Sequence, residues 1–121
     1  MIHSVNVNAE KDAQVNVSDF LESEYCQIKS ENGMVQANRI KTEAMTVTTK
    51  TGDIVCSGHI QGTVKIHSND GNVIAEQRFM GPSLDISTEN GDIRVSASYA
   101  DQSKFVTNKG QIHLRQSIKG L

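Results

Sequence analysis

A polar pair followed by glycine recurs through the chain at Gly33, Gly52, Gly71, Gly91 and Gly110, at steps of 19, 19, 20 and 19 residues. Aligning the chain on these glycines sorts it into columns. Three residues before the glycine stand Ser30, Thr49, Ser68, Thr88 and Thr107, a hydroxyl every time. Five before it are Ile28, Val47, Ile66, Ile86 and Phe105, and seven before it Cys26, Met45, Val64, Leu84 and Ser103. Two after it come Val35, Ile54, Val73, Ile93 and Ile112, and four after it Ala37, Cys56, Ala75, Val95 and Leu114. Eight after it are Ile60, Phe79, Tyr99 and Ile118, with Ile40 one place early in its own copy. Repetition at this period restricts the chain to a stack or an array of one small unit.

Each copy alternates apolar and polar residues on both sides of the glycine, which reads as two strands meeting at a tight corner. The glycine is expected where the backbone takes positive φ, a conformation disfavoured for residues with a β-carbon. Asn32, Asp70 and Asn90 just before it tolerate the same region. The recurring Ser or Thr is placed to satisfy N–H groups of the corner. Gly33, Gly52, Gly71, Gly91 and Gly110 are therefore read as structural turn positions.

Two topologies satisfy this unit. In a β-solenoid each copy is one coil, and equivalent positions stack ~4.8 Å apart. In an antiparallel meander or sandwich each glycine corner is a hairpin turn. The constancy of the columns favours equivalent environments, and so an all-β solenoid, parallel β-helix-like, of about six coils. Residues 1–25 read as a degenerate first coil or cap: Val5, Val7, Val15, Val17, Phe20 and Leu21 keep the apolar positions, while Glu10-Lys11-Asp12-Ala13 replaces the glycine corner. Residues 26–121 hold the five regular repeats of one domain. Ile118-Lys119-Gly120-Leu121 matches Ile60-Gln61-Gly62-Thr63, so the chain stops where another coil would begin. A truncated end, or a last coil covered by a partner, is the expectation, with self-association through that coil a further one.

Composition agrees with strands. Aromatics are 4% and hydrophobic residues 36%, so valine, isoleucine and threonine carry the pattern. The charge of −2 is spread without a basic run, which disfavours nucleic acid as a partner. No apolar stretch approaches the ~20 residues of a membrane span. Met1-Ile2-His3-Ser4-Val5-Asn6 lacks the pattern of a signal peptide, and two cysteines make no disulfide framework. An intracellular or organelle interior location is expected over secretion.

The spacing of Thr49-Lys50-Thr51-Gly52-Asp53-Ile54, Ser68-Asn69-Asp70-Gly71-Asn72-Val73 and Thr88-Glu89-Asn90-Gly91-Asp92-Ile93 resembles that of the adhesin family, whose members share an auto-transporter-adhesin-like β-solenoid domain of unknown function. The resemblance covers about residues 26–121. The segment from His59 to Ile66 is closer to the family's uncharacterised eukaryotic members than to its bacterial envelope proteins. The resemblance implies a repeated β fold and no established activity, and it supplies no catalytic residues.

Catalysis on such a stack needs acids, bases or cations converging in outward columns. Gln36, Val55, Ile74, Arg94 and His113 form one; Asn38, Ser57, Glu76, Ser96 and Arg115 another. Lys29, Thr48, His67, Ser87 and Val106, and Gln27, Thr46, Lys65, Asp85 and Lys104, line the other strand. None pairs carboxylates beside a cation, as an enzyme on polysaccharide would require. Asp53, Asn72 and Asp92 beside Glu31, Asp70, Glu89 and Asn90 could offer oxygens to Ca²⁺, but Lys50 and Lys109 interrupt that edge, and corner-forming accounts for these residues more simply. His3, His59, His67 and His113 fall in different columns and read as surface imidazoles. Cys26 and Cys56 occupy apolar columns as buried thiols. No cofactor is expected. Val55 and Ile74 stand out as apolar neighbours in a solvent-facing column, a candidate contact surface. The chain is thus expected to be a non-enzymatic, adhesin-like interaction scaffold for a protein or glycan. A polysaccharide-active enzyme and a calcium-stabilised module are the alternatives.

Overall fold

The apolar alternation becomes strand throughout: β1 (Ile2–Ala9), β2 (Val15–Ser30), β3 (Val35–Thr49), β4 (Ile54–Cys56), β5 (Ile60–Ser68), β6 (Val73–Thr88), β7 (Ile93–Thr107) and β8 (Ile112–Leu114). The computed structural model describes residues 2–12, 14–56 and 60–114, with side chains except at 2–3, 17–21, 76–79, 96–101 and 114. The expected column member Ile118, and the stretch 115–121 of the last coil, lie outside the described residues.

Every strand pairing is parallel, which decides between the two topologies. Val35 pairs with Ile54, Ile54 with Val73, Val73 with Ile93 and Ile93 with Ile112. On the opposite strand Ile28 pairs with Val47, Val47 with Ile66, Ile66 with Ile86 and Ile86 with Phe105. Residues across a glycine corner are not paired. The chain is a β-solenoid with about five complete turns, and the C-terminal half of β7 with β8 lies over the fifth. The N-terminal segment joins the stack in the same register: Val5 lies on Cys26, Val7 on Ile28 and Val15 on Val35.

Inside the strand columns, including a third one in which Ile40 pairs with Ile60, runs a single core. Ile28, Val35, Val47, Ile54, Val73, Ile86 and Ile93 have no exposed surface, and Ala37, Cys56, Ala75 and Val95 fill the narrower end beside them. Burying each large aliphatic residue contributes roughly 1.5–3 kcal/mol. The β-branched residues suit this space because parallel strands buried on one face stack like on like.

Away from the glycines the ladder is irregular at two further places, between Val17 and Phe20 and between Ala75 and Arg78, and again, at the far corner, between Lys41 and Ala44 and between Gln61 and Val64. One of these corrects the sequence alignment. Phe79 pairs with Ser98, whereas Tyr99, its counterpart by simple count, pairs with Met80. An extra residue between Ala75 and Arg78, compared with Val95 and Ala97, shifts the register by one.

The corner glycines also differ from expectation. Positive φ occurs at Gly62 (133°) and Gly81 (143°), on the far corner, and at Lys11 (57°) in the degenerate turn. Gly52, Gly71, Gly91 and Gly110 are glycine because of close approach. A β-carbon on each would overlap the carbonyl oxygen of the corner glycine one coil earlier, beginning with Gly33 under Gly52.

The hydroxyl column works in both directions. Ser30, Thr49 and Thr88 donate to the carbonyls of Gly33 (3.0 Å), Gly52 (2.8 Å) and Gly91 (2.6 Å). Ser68 and Thr107 accept the N–H groups of Gly71 (2.9 Å) and Gly110 (3.0 Å), the role expected for the whole column, and donate to the carbonyls of Gly52 (3.5 Å) and Gly91 (2.9 Å) one coil earlier. Neighbouring hydroxyls meet at 2.9 Å (Thr49 with Ser68) and 3.0 Å (Thr88 with Thr107). These groups are buried or half-buried, so each satisfied bond avoids the cost of a stranded polar atom.

Candidate functional site

Alternation along β4 and β6 turns Val55 and Ile74 outward while Ile54, Cys56, Val73 and Ala75 face the core. Parallel register then sets Val55 directly beside Ile74. Both are half-buried, flanked in the same column by exposed Gln36 on one side and exposed Arg94 and His113 on the other. The predicted adjacency holds: a small apolar centre with a polar and cationic margin. Of the next outward column, Asn38 is exposed, Ser57 lies outside the described residues, and the side chains of Glu76 and Ser96 are outside the description.

Other apolar side chains are more exposed than these two. Tyr25 is 51% exposed, and Met80, Val106 and Ile112 are also exposed. Tyr25 sits between Ser4 and Ala44 on the first-strand face. Its signal was an aromatic ring at an outward position one residue before Cys26. No other copy carries an aromatic residue eight before its glycine, so the repeat does not mark the position.

The polar corner has a structural use. Asp53 Oδ1 accepts the Asn72 N–H at 2.8 Å, Asn72 Oδ1 accepts the Asp92 N–H at 2.8 Å, and Asp92 Oδ1 accepts the Gln111 N–H at 2.9 Å. Each side chain thus caps the coil after its own. Glu31 accepts the Lys11 N–H at 3.2 Å, Thr51 donates to Asn32 Oδ1 at 2.7 Å, and Asn90 Nδ2 donates to Asp70 Oδ1. Of the oxygens weighed as calcium ligands, those of Asp53, Asn72, Asp92, Glu31 and Asp70 are engaged along the stack. Among the described residues no group of three or more His, Cys, Asp or Glu is placed to hold a metal ion.

His67 is half-buried, with Nε2 3.1 Å from Asn69 Oδ1 and Nδ1 2.9 Å from the Ser87 hydroxyl. Because Asn69 Oδ1 can only accept, the Nε2–H donates to it, and Nδ1 pairs with the Ser87 hydroxyl. Among the described residues no carboxylate is hydrogen-bonded to this pair to complete a nucleophilic arrangement. His113 is exposed as expected; the His3 side chain and His59 lie outside the description. Cys26 and Cys56 are free and buried, in opposite strand columns. Burial raises the pKa of Cys26 and pushes that of Cys56 up to about 12, which leaves both as inert thiols.

Among the described residues no helix is long and apolar enough to cross a membrane. No solved structure matches the chain. Residues 2–119 match the family described as Toastrack DUF4097, a domain of unknown function and not a known enzyme family. The match spans nearly the whole stack, from β1 through β8. This chain belongs to the Toastrack DUF4097 family.

Proposed function

We propose that this chain is a non-enzymatic interaction scaffold whose contact face centres on Val55 and Ile74 and receives a protein partner. The observation that carries the reading is the register pairing of these two outward aliphatics within a polar margin. Stacked apolar side chains with a charged rim are the pattern of protein contact surfaces. The parallel stack supports it, since a repeated β framework holds outward ladders at fixed spacing without ordering cost on binding. The adhesin-like character read from the T-x-x-G-D-I repeats belongs to the same proposal.

The experiment is a comparison of the intact chain with Val55→Asp/Ile74→Asp in affinity purification from the native compartment. A partner that is lost from the variant while the fold persists supports the face. An unchanged set of partners and unchanged self-association remove it.

A further inference from the structure

The far corner shares the close backbone stacking of the other glycines, since a β-carbon on Gly62 would overlap the Thr42 carbonyl and one on Gly81 that of Gly62, but its residue count changes from coil to coil. At the far corner Lys41 pairs with Gln61 and Ala44 with Thr63, so two residues face the single residue Gly62. Gln61 in turn pairs with Met80 and Val64 with Leu84, so two residues face three on the following coil. The coil through Gly62 therefore cuts the corner short between two longer neighbours. Gly62 and, on the longer next coil, Gly81 both take positive φ.

The shortcut leaves a groove of about 430 Å³, within the range of small-ligand sites, ~300–1,000 Å³. Gly62 and Gly81 contribute backbone to it, and Glu22, Ser23, Lys41, Glu43 and Gln61 contribute side-chain positions. From the coil of Glu22 to that of Gly81 is three coil steps, about 14 Å along the stack.

Ser23 at one end is 2% exposed, and its hydroxyl has no hydrogen-bond partner. Its register neighbour Thr42 shows what a satisfied hydroxyl does at this corner, with Oγ1 3.0 Å from the Glu24 carbonyl and 3.1 Å from that of Ala44. A stranded hydroxyl costs about 1–3 kcal/mol, a cost that an entering polar group would relieve.

Charge narrows the occupant. Glu22, Lys41 and Gln61 follow one another in register, acid, base and amide, with Glu43 alongside. The ammonium of Lys41 disfavours a metal cation, and two carboxylates disfavour a phosphate or a carboxylate ligand. A peptide strand needs a free sheet edge, and a corner with coils paired on both sides offers none. The remaining match is a neutral ligand rich in hydroxyls: carboxylates accept from them, while Lys41 and Gln61 donate to ring and linkage oxygens.

We infer that the far corner, through Ser23, Glu43, Gln61 and the backbone at Gly62, is a binding groove for a short oligosaccharide. The inference rests on reading the chain as a binding scaffold, at a surface separate from Val55 and Ile74.

The test is a titration of the isotope-labelled full chain with cellotriose, chitotriose and maltotriose up to millimolar concentration, followed by backbone amide shifts. Saturable shifts with at least one trisaccharide, centred on Glu22, Thr42 and Gly62, are expected. Ser23→Ala and, independently, Glu43→Ala/Gln61→Ala weaken that binding tenfold or more, and Ser23→Ala melts no lower than the parent. Absence of shifts with all three sugars, or shifts scattered over the surface, overturns the groove. So does a destabilised Ser23→Ala, which would give the hydroxyl a structural role. Shifts confined to the Val55 and Ile74 face overturn the groove but leave the scaffold reading standing.

Discussion

The carbonyl oxygen of Gly52 occupies the place that a β-carbon on Gly71 would need. The same relation links Gly71 to Gly91 and Gly91 to Gly110, so one corner of the solenoid is a column of backbone on backbone. The obstacle is another main chain, which cannot rotate away as a side chain could. Gly71→Ala must push two coils apart at the centre of the stack. The expected loss is about 2–4 kcal/mol, or roughly 10 °C in melting temperature, read by thermal denaturation. A variant that melts with the parent would show that the corner is slack.

The side-chain ladder predicts a smaller and more selective effect. Asp92→Ala removes the acceptor for the Gln111 N–H and should cost about 1 kcal/mol. Asp92→Asn keeps an Oδ1 and should recover most of that, because Asn72 fills the same role one coil earlier. Since these oxygens bind the next coil, the melting temperature should be the same in EDTA and in millimolar Ca²⁺. A rise with calcium would restore the calcium-stabilised reading.

Cys56 makes the stability depend on alkaline pH. Its folded-state pKa is raised from 9.0 to about 12 by burial, so the folded chain holds this proton where the unfolded chain releases it. Stability should be constant on this account below pH 9 and fall as the pH rises from 9 towards 12. Denaturant melts of the parent and of Cys56→Ala measure it. The variant starts less stable because it leaves a small cavity, but its alkaline decline should be shallower. Both thiols should resist a thiol reagent in the native state and react fully in denaturant.

Val55 and Ile74 are half-buried on an outward face, so Val55→Asp/Ile74→Asp should keep the strand spectrum and cooperative melting of the parent. A cost of about 1–2 kcal/mol is expected from lost aliphatic packing and two adjacent like charges. Circular dichroism and thermal melts check this before any partner experiment is interpreted. Collapse of the fold would place these residues in the core rather than on a contact face.

The core was legible because Ile54, Val73 and Ile93 repeat one chemical character at one spacing, and a column of that kind requires equivalent surroundings. The reason for the glycines was not. Spacing marks Gly71 as special but does not separate positive φ from the approach of Gly52, which comes from another coil. The far corner was hidden for a related reason. Ile40 standing one place early betrayed a change in coil length, yet its consequence, a shortened path at Gly62 and a groove beside Ser23, depends on two neighbouring coils at once. Tyr99 was misplaced because a single added residue after Ala75 shifts the register by one.

The contact face is tested most directly by placing a photo-crosslinking amino acid at position 74, and at Lys65 as an exposed control on the other strand, then irradiating the chain in its native compartment. A scaffold that works through Val55 and Ile74 predicts one dominant protein adduct at position 74 that is absent at 65 and lost on adding Val55→Asp. Equal labelling at both positions, or no adduct at 74, would contradict it.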